Sequence, residues 1–224
     1  MLGRTAFFSR LDFDALSVCA EEFREARLAQ GQTLFSRGDP GDQLLLVGEG
    51  RVRLAVMTED GRELSVRHAV QGELLGEIAV LDGGARSTDA VALTPVVIHA
   101  LHRAQLERLT VQYPEIAGGV IAFLCRRLRQ TTDQLENIAL HSIEVRLARF
   151  LLVGLAGRKA MAGRRVPLDM AFSQTELAQL LGASRPKVNV ALGVLEQAGA
   201  IQRTLDRIFC DPEALAKFAG VSDG

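Results

Sequence analysis

The stretch Gly76–Thr88, GEIAVLDGGARST, sets the question on which the reading of the chain turns. An apolar run with a Gly-Glu pair is followed, past a glycine-rich turn, by Arg86 and Ser87. Two readings fit: an anion cradle, or the end of a strand running into a surface loop. Arginine offers a planar, permanently charged fork. Backbone N–H groups near glycine and the Ser87 hydroxyl can complete a cradle around anionic oxygens. Glu77 repels phosphate but can accept from a ribose hydroxyl, so Glu77 and Arg86 together suit a nucleotide monophosphate better than plain phosphate. The alternative is a Glu77–Arg86 salt bridge in an ordinary loop.

The surroundings of this stretch are β-rich. From about Gln32 to Leu101 short runs are cut by glycine: QTLFSRG, DQLLLVGEG, RVRLAVMTEDG, RELSVRHAV, VVIHAL. RVRLAV alternates polar and apolar as a half-buried strand does. Asp60-Gly61 between two such runs is a hairpin signal. Many short antiparallel strands at this spacing predict a β-roll of jelly-roll type, preceded by a helix around Asp12–Ala26.

A second texture follows, one long helix over about Pro114–His141. Ala117, Ile121, Leu124, Leu128, Thr131, Leu135, Ile138 and Ser142 are spaced alternately four and three apart. That is a coiled-coil seam. A parallel homodimer is the simplest cover for it, and packing on its own domain is the alternative. Thr131 interrupts the seam with a hydroxyl, as a register device or as a place where something else binds.

The third texture begins near Ile143. IEVRLARFLLVGL reads as an amphipathic helix ending in glycine. Ser173 and Glu176 form a capping box. Leu177, Leu180 and Leu181 give the next helix an apolar face, and Gly182 stops it. Ser184 caps a second helix with Pro186 in its first turn. Val188, Leu192 and Leu195 form its core face and Gly199 ends it. Two helices about a glycine-containing turn are a helix-turn-helix. AIQRTLDRIFC then alternates like a β-wing. The expected architecture is α+β, divided as a ligand domain over 1–112, a dimerisation helix over 113–141 and a winged helix-turn-helix over 142–224.

Bulk numbers fit. The 224 residues are 48% hydrophobic and 24% charged, a globular composition. Net charge is −1, but from Ile143 onward 11 Lys/Arg face 8 Asp/Glu, so the C-terminal part is basic and the remainder acidic. This leans towards a nucleic-acid partner at the C-terminal end. Cys19, Cys125 and Cys210 form neither a metal spacing nor a disulfide framework and read as small buried hydrophobes in a reducing compartment. No targeting segment or membrane-spanning run is visible, so a cytoplasmic protein with no membrane partner is expected.

GELLGEIAVLDGGARSTDAVAL, residues 72–93, resembles the phosphate-binding cassette of cyclic-nucleotide-binding domains. The order of β-roll, long helix and winged helix-turn-helix is similar to the cyclic AMP receptor protein/FNR family of bacterial transcription regulators, from about Phe7 to Asp211. The resemblance implies Gly76 and Glu77 at a ribose with Ile78 beside them, and Arg86 and Ser87 at a cyclic phosphate. RRLRQTTDQLENIAL is similar to the cyclic AMP receptor proteins in particular, which implies Thr131 and Thr132 at an adenine, Thr132 reaching the partner subunit's ligand. Cyclic AMP is the implied effector. Cyclic GMP or another ligand is the alternative, because hydroxyls donate and accept alike.

The family's usual partners are double-stranded DNA with a pseudo-palindromic operator and, as a candidate, RNA polymerase. Arg185 is the expected guanine reader. Lys187 and Asn189 are placed at bases or phosphates, and Ser173, Thr175 and Ser184 are placed at helix N-termini facing DNA. SRPKVNVAL keeps only Arg185 and Val188 of the motif common in cyclic AMP receptor proteins. Pro186 replaces the acidic reader and Val190 the second arginine, so the usual operator does not carry over. The cysteine cluster of the FNR branch is absent, and His99 and His102 read as structural or surface residues. LHSIE, residues 140–144, is the expected hinge. No nucleophile–base pair suggests an enzyme. An enzyme's regulatory module is disfavoured by the helix-turn-helix and by the lack of room for a catalytic domain.

Overall fold

A computed structural model of the chain describes residues 1–57, 63–155, 165–169, 174–204 and 207–220. It divides into two compact units, Met1–Gln130 and Thr131–Gly224.

In the first unit a 3₁₀ turn, Leu2–Arg4, leads to helix α1, Phe13–Glu21. Asp12 caps α1 by accepting from Ala15 N at 2.9 Å. Eight strands follow: β1 (Arg24–Leu28), β2 (Thr33–Phe35), β3 (Gln43–Glu49), β4 (Arg51–Met57), β5 (Glu63–Val70), β6 (Leu74–Leu75), β7 (Asp89–Ala92) and β8 (Val96–His102). Helix α2 (Glu77–Asp82) lies between β6 and β7, and α3 (Arg103–Gln112) follows β8. The strands form two antiparallel sheets, ordered β1-β8-β3-β6 and β2-β7-β4-β5.

One apolar core, containing Leu45, Val47, Val52, Leu54, Ala69, Leu75, Ala90 and Ile98, draws on both sheets. A second gathers Phe7, Phe8, Leu44, Leu46, Leu101, Leu106, Ile116 and Phe123. Strand β3 contributes alternate residues to the two cores, which is why its run Leu44–Val47 is buried without a break. Strand β4 alternates as expected up to Leu54, where a register shift against β5 interrupts the pattern. The β4–β5 hairpin pairs as predicted, while its turn at Asp60-Gly61 lies outside the described residues.

The first helix is shorter than its sequence suggested. It stops at Glu21, and Arg24–Leu28 instead pair with Val96–Ala100 as a sheet edge. Four of these five edge residues are exposed and three are charged, a composition that discourages further strand addition. Phe23 turns inward, with its ring edge-on to Phe8 at 6.0 Å. Helix α3 had no clear sequence signature. It begins at His102, where a reciprocal capping box with Gln105 forms.

Helix α4 spans Glu115–Leu140. Seam residues Ile121, Leu124, Leu128 and Leu135 are exposed on it, Leu128 at 69%. Ser142 does not belong to that seam. It sits beyond the end of α4, and its carbonyl accepts from Arg146 N at 3.0 Å to begin α5, Ile143–Leu155. Gly154 does not terminate α5, which continues to Leu155. Cys19 and Cys210 are buried, but Cys125 is exposed on α4, contrary to the expectation for the three thiols.

The second unit continues with β9 (Val166–Asp169), α6 (Gln174–Leu180), α7 (Arg185–Gln197), β10 (Ile201–Arg203), β11 (Arg207–Cys210) and α8 (Pro212–Ala219). The wing is a three-stranded antiparallel sheet, β10-β11-β9, with one strand more than the sequence indicated. Its core joins Leu147, Leu151, Leu177, Val188, Leu192, Leu195, Ile208 and Leu215.

Leu151 is fully buried where α5 meets the rest of this core. Leu151→Ala should destabilise the C-terminal unit by about 2–5 kcal/mol, the range for emptying a leucine site. Urea unfolding followed by circular dichroism reads this directly.

Candidate functional site

Gly76–Thr88 is neither a strand end nor a plain loop. Gly76 has φ +72° and precedes α2, and Gly83, φ +80°, closes that helix. Both torsions lie in the left-handed region that glycine tolerates. At Gly76 a second constraint is stronger still, since a Cβ there would fall on Arg86 Nη1.

Arg86 is only 6% exposed. Its Nη1 donates to the Gly76 carbonyl at 3.0 Å and its Nη2 to the Gln43 carbonyl at 2.9 Å. Its guanidinium carbon lies over the Phe35 ring, 4.4 Å from the ring centre, within cation–π range. Its backbone N–H donates to Asp39 O, and its carbonyl accepts from Gly38 N. Arg86 therefore ties β3, the 38–41 turn and the start of α2 together. A guanidinium has five N–H groups. The two side-chain bonds use two of them, and Nε is buried without a hydrogen-bond partner.

Glu77 is 8% exposed and makes no ion pair with Arg86. Its carboxylate faces Arg127 of α4, Oε1 to Nε 3.9 Å, so the alternative of a Glu77–Arg86 bridge is not what forms. Arg127 also lies over Phe123 at 5.0 Å. Near it, Arg67 of β5 donates to Glu73 Oε2 at 3.2 Å and to Leu74 O at 2.9 Å. Burial, reinforced by the neighbouring Arg127 charge, pulls the Arg67 pKa down to about 10, against the pull of Glu77 and Glu73. Burial likewise lowers the Arg86 pKa, opposed by Asp42, Glu77 and Asp39. With a pKa of about 10, Arg67 stays charged at neutral pH. The cassette thus concentrates partly desolvated cations, the setting in which an anion is held strongly.

Arg103, the first residue of α3, steadies this region from behind. Its Nη2 donates to the carbonyls of Ala79 and Gly41, and its backbone N–H donates to Asp42 O at 2.7 Å. Ser87 and Ile78 are exposed at the cassette. Thr131 and Thr132 are exposed on α4, Thr131 one helical turn beyond Arg127. Sequence reasoning passed over Arg67, Arg103, Arg127, Phe35 and Gln43. Only Arg127 carried a signal, its four-residue spacing from Thr131.

In the second unit α6 and α7 enclose a turn at Gly182, φ +61°. Leu177, Ala178 and Leu181 are buried with Val188, Ala191, Leu192 and Leu195. Arg185, Pro186, Lys187, Asn189 and Val190 are exposed along α7. Arg185 Nε donates to Gln174 Oε1 at 3.3 Å. Ser184 occupies the N-cap position, but its hydroxyl makes no capping bond. Pro186, two residues on, has no N–H to offer, which removes one of the two usual acceptor-seeking groups. Ser173 and the side chain of Thr175 lie outside the described residues. Among the described residues no cluster could hold a metal ion, and no helix is long and apolar enough to cross a membrane.

A ligand cassette in one unit and a winged helix-turn-helix in the other define a ligand-responsive, DNA-binding transcription regulator, not an enzyme. Residues 25–113 match the cyclic nucleotide-binding domain family, and residues 145–218 match the Crp-like helix-turn-helix domain. The chain is 32% identical over 195 residues to the Thermus thermophilus cyclic AMP receptor protein, covering 87% of each. It is 29% identical over 220 residues to the CRP-like cAMP-activated global transcriptional regulator of Mycobacterium tuberculosis, covering 98% of each. The fold matches the structure of the c-di-GMP-responsive regulator CLP of Xanthomonas campestris with a TM-score of 0.76, at 22% identity, over 89% of this chain and 99% of that one. The chain belongs to the cyclic AMP receptor protein/FNR family.

Gly76→Ala combines a left-handed backbone with a Cβ placed on Arg86. It should cost about 1–3 kcal/mol of stability in the N-terminal unit, visible as an earlier unfolding midpoint. Ser87→Ala, at an exposed position, should leave that midpoint unchanged.

Proposed function

We propose that the chain is a homodimeric regulator whose DNA affinity is set by cyclic AMP. The observation that carries this is the buried Arg86, with donors to spare, beside the buried Glu77. A cyclic phosphodiester supplies acceptors for Arg86 and for Ser87, and Glu77 accepts from the ribose hydroxyl, with Gly76 and Ile78 bordering the sugar. Thr131 meets the adenine in the same subunit, and Thr132 reaches the partner's ligand. The name of the Mycobacterium tuberculosis relative, cAMP-activated, and that of the Thermus thermophilus protein support the choice of cyclic AMP. Cyclic GMP remains the alternative, since a threonine hydroxyl presents itself equally to either purine.

The exposed apolar stripe Ile121, Leu124, Leu128 and Leu135 is the surface the dimer covers. A two-fold dimer reads a pseudo-palindromic operator with one α7 per half-site. Arg185 pairs with a guanine, and Lys187 and Asn189 contact bases or phosphates. Ser173, Thr175 and Ser184 hold the backbone. The regulator works in the cytoplasm, and RNA polymerase is its candidate further partner. The break between α4 and α5 at His141–Ser142 is the hinge through which ligand and DNA communicate. Such coupling is reciprocal, so operator DNA tightens the nucleotide.

Isothermal titration of the full chain with cyclic AMP and with cyclic GMP tests the reading. Tight, saturable binding of cyclic AMP, with cyclic GMP weaker, is the expected result. Binding of neither overturns it. Ser87→Ala should weaken cyclic AMP by about 0.5–1.5 kcal/mol. Arg86→Ala should weaken it by at least about 1.5–3 kcal/mol, in a protein also destabilised by the two carbonyls left unmet. Thr132→Ala should diminish the nucleotide's effect on DNA affinity more than nucleotide binding itself. Equal stimulation of mutant and wild type would assign Thr132 to the helix surface.

A further inference from the structure

Helix α7 buries Val188, Ala191, Leu192 and Leu195 and turns the opposite stripe outward. At spacings of four, three and four residues, that stripe is Pro186, Val190, Gly193 and Gln197. Its first three members have no side-chain hydrogen-bonding group. Val190 is 65% exposed, and the space beyond Gly193 is open. Arg185 and Asn189 flank the stripe on one side, and Lys187 and Val194 on the other. The helix-turn-helix turns a valine, and no polar reader, towards the solvent at the centre of its contact face.

Among the base edges of the major groove only thymine presents an apolar group, its C5-methyl. A solvated isopropyl group gains nothing from the N and O atoms of the other edges and desolvates them at a cost. We propose that Val190 is a specificity-determining residue of this chain that selects thymine by contact with the C5-methyl. This rests on the reading of α7 as the DNA-contacting helix. Val190 stands five residues beyond Arg185, about 7.5 Å along the helix axis. At about 3.4 Å per base step, the selected thymine lies about two base pairs from the guanine taken by Arg185.

The experiment uses the full-length chain with cyclic AMP. Duplexes are selected from a random pool, and fluorescence anisotropy then measures the selected site with each dT replaced in turn by dU. That replacement removes the methyl and nothing else. Burial of one methyl-sized group corresponds to about a fourfold change in affinity. Wild type should lose about fourfold for dU at one position in a half-site, and about fifteenfold when both half-sites carry it. Val190→Ala should bind the parent duplex more weakly and be indifferent to dU at that position. Because Val190 is exposed, the variant keeps the fold, which circular dichroism verifies.

A selected site without thymine at that place overturns the inference, as does wild type indifferent to every dU. An equal dU penalty in Val190→Ala also overturns it, since the methyl is then read by another residue or through DNA shape. Failure to select any sequence is a different result: it removes the reading of α7 as a sequence-specific helix, and the inference with it.

Discussion

The cassette of the first unit leans on one arginine held by main-chain oxygen. Arg86 joins the carbonyl of Gly76 to the carbonyl of Gln43 and lies on the Phe35 ring. These contacts are made from a side chain almost wholly removed from water, where each is electrostatically stronger than at a surface and costly to leave unmade. The geometry requires glycine at 76 and shapes the turn from Gly38 to Gly41. Arg103 braces the far side of the same turn through Gly41 and Ala79. The phosphate-binding candidate and the structural clamp are thus one group. Ligand chemistry and fold stability cannot be separated at this position.

The charges around the clamp divide the work. Glu77 is answered by Arg127 of α4, and Arg67 by Glu73. Arg67 and Arg127 also repel one another, which is why burial and that neighbour together lower the Arg67 pKa. Glu77 thereby joins α2 to α4, the helix that carries the seam and the two threonines.

Long-period patterns were legible in the sequence. The seam of α4, the apolar face of α7 and the alternation of β4 each repeat within a single element. Elements too short to repeat were not legible. Helix α2 has six residues, too few to show a helical period, so the residues alone suit an anion cradle and a strand end with a surface loop alike. Phe23–Ala26 mixes charged and apolar residues in a way that suits a helix end and an edge strand equally, and only pairing with β8 decides. At the site, the residue types Glu77, Arg86 and Ser87 were visible, but their partners were not. The Gln43 carbonyl that holds Arg86 is main chain, 43 residues away, and any residue type would supply it. Ser184 shows the reverse failure. Its type signals a cap, and Pro186 removes one of the N–H groups that would have answered.

The contrast between Arg86 and its exposed neighbours has a consequence for how such a receptor diverges. A change at Gly76 or Arg86 costs the first unit stability as well as altering the site, because both belong to the same clamp. Ser87, Ile78, Thr131 and Thr132 are exposed and can be exchanged one at a time without disturbing a core. Variation that spares the clamp is open at these exposed positions, where a new side chain meets solvent and displaces no packed neighbour.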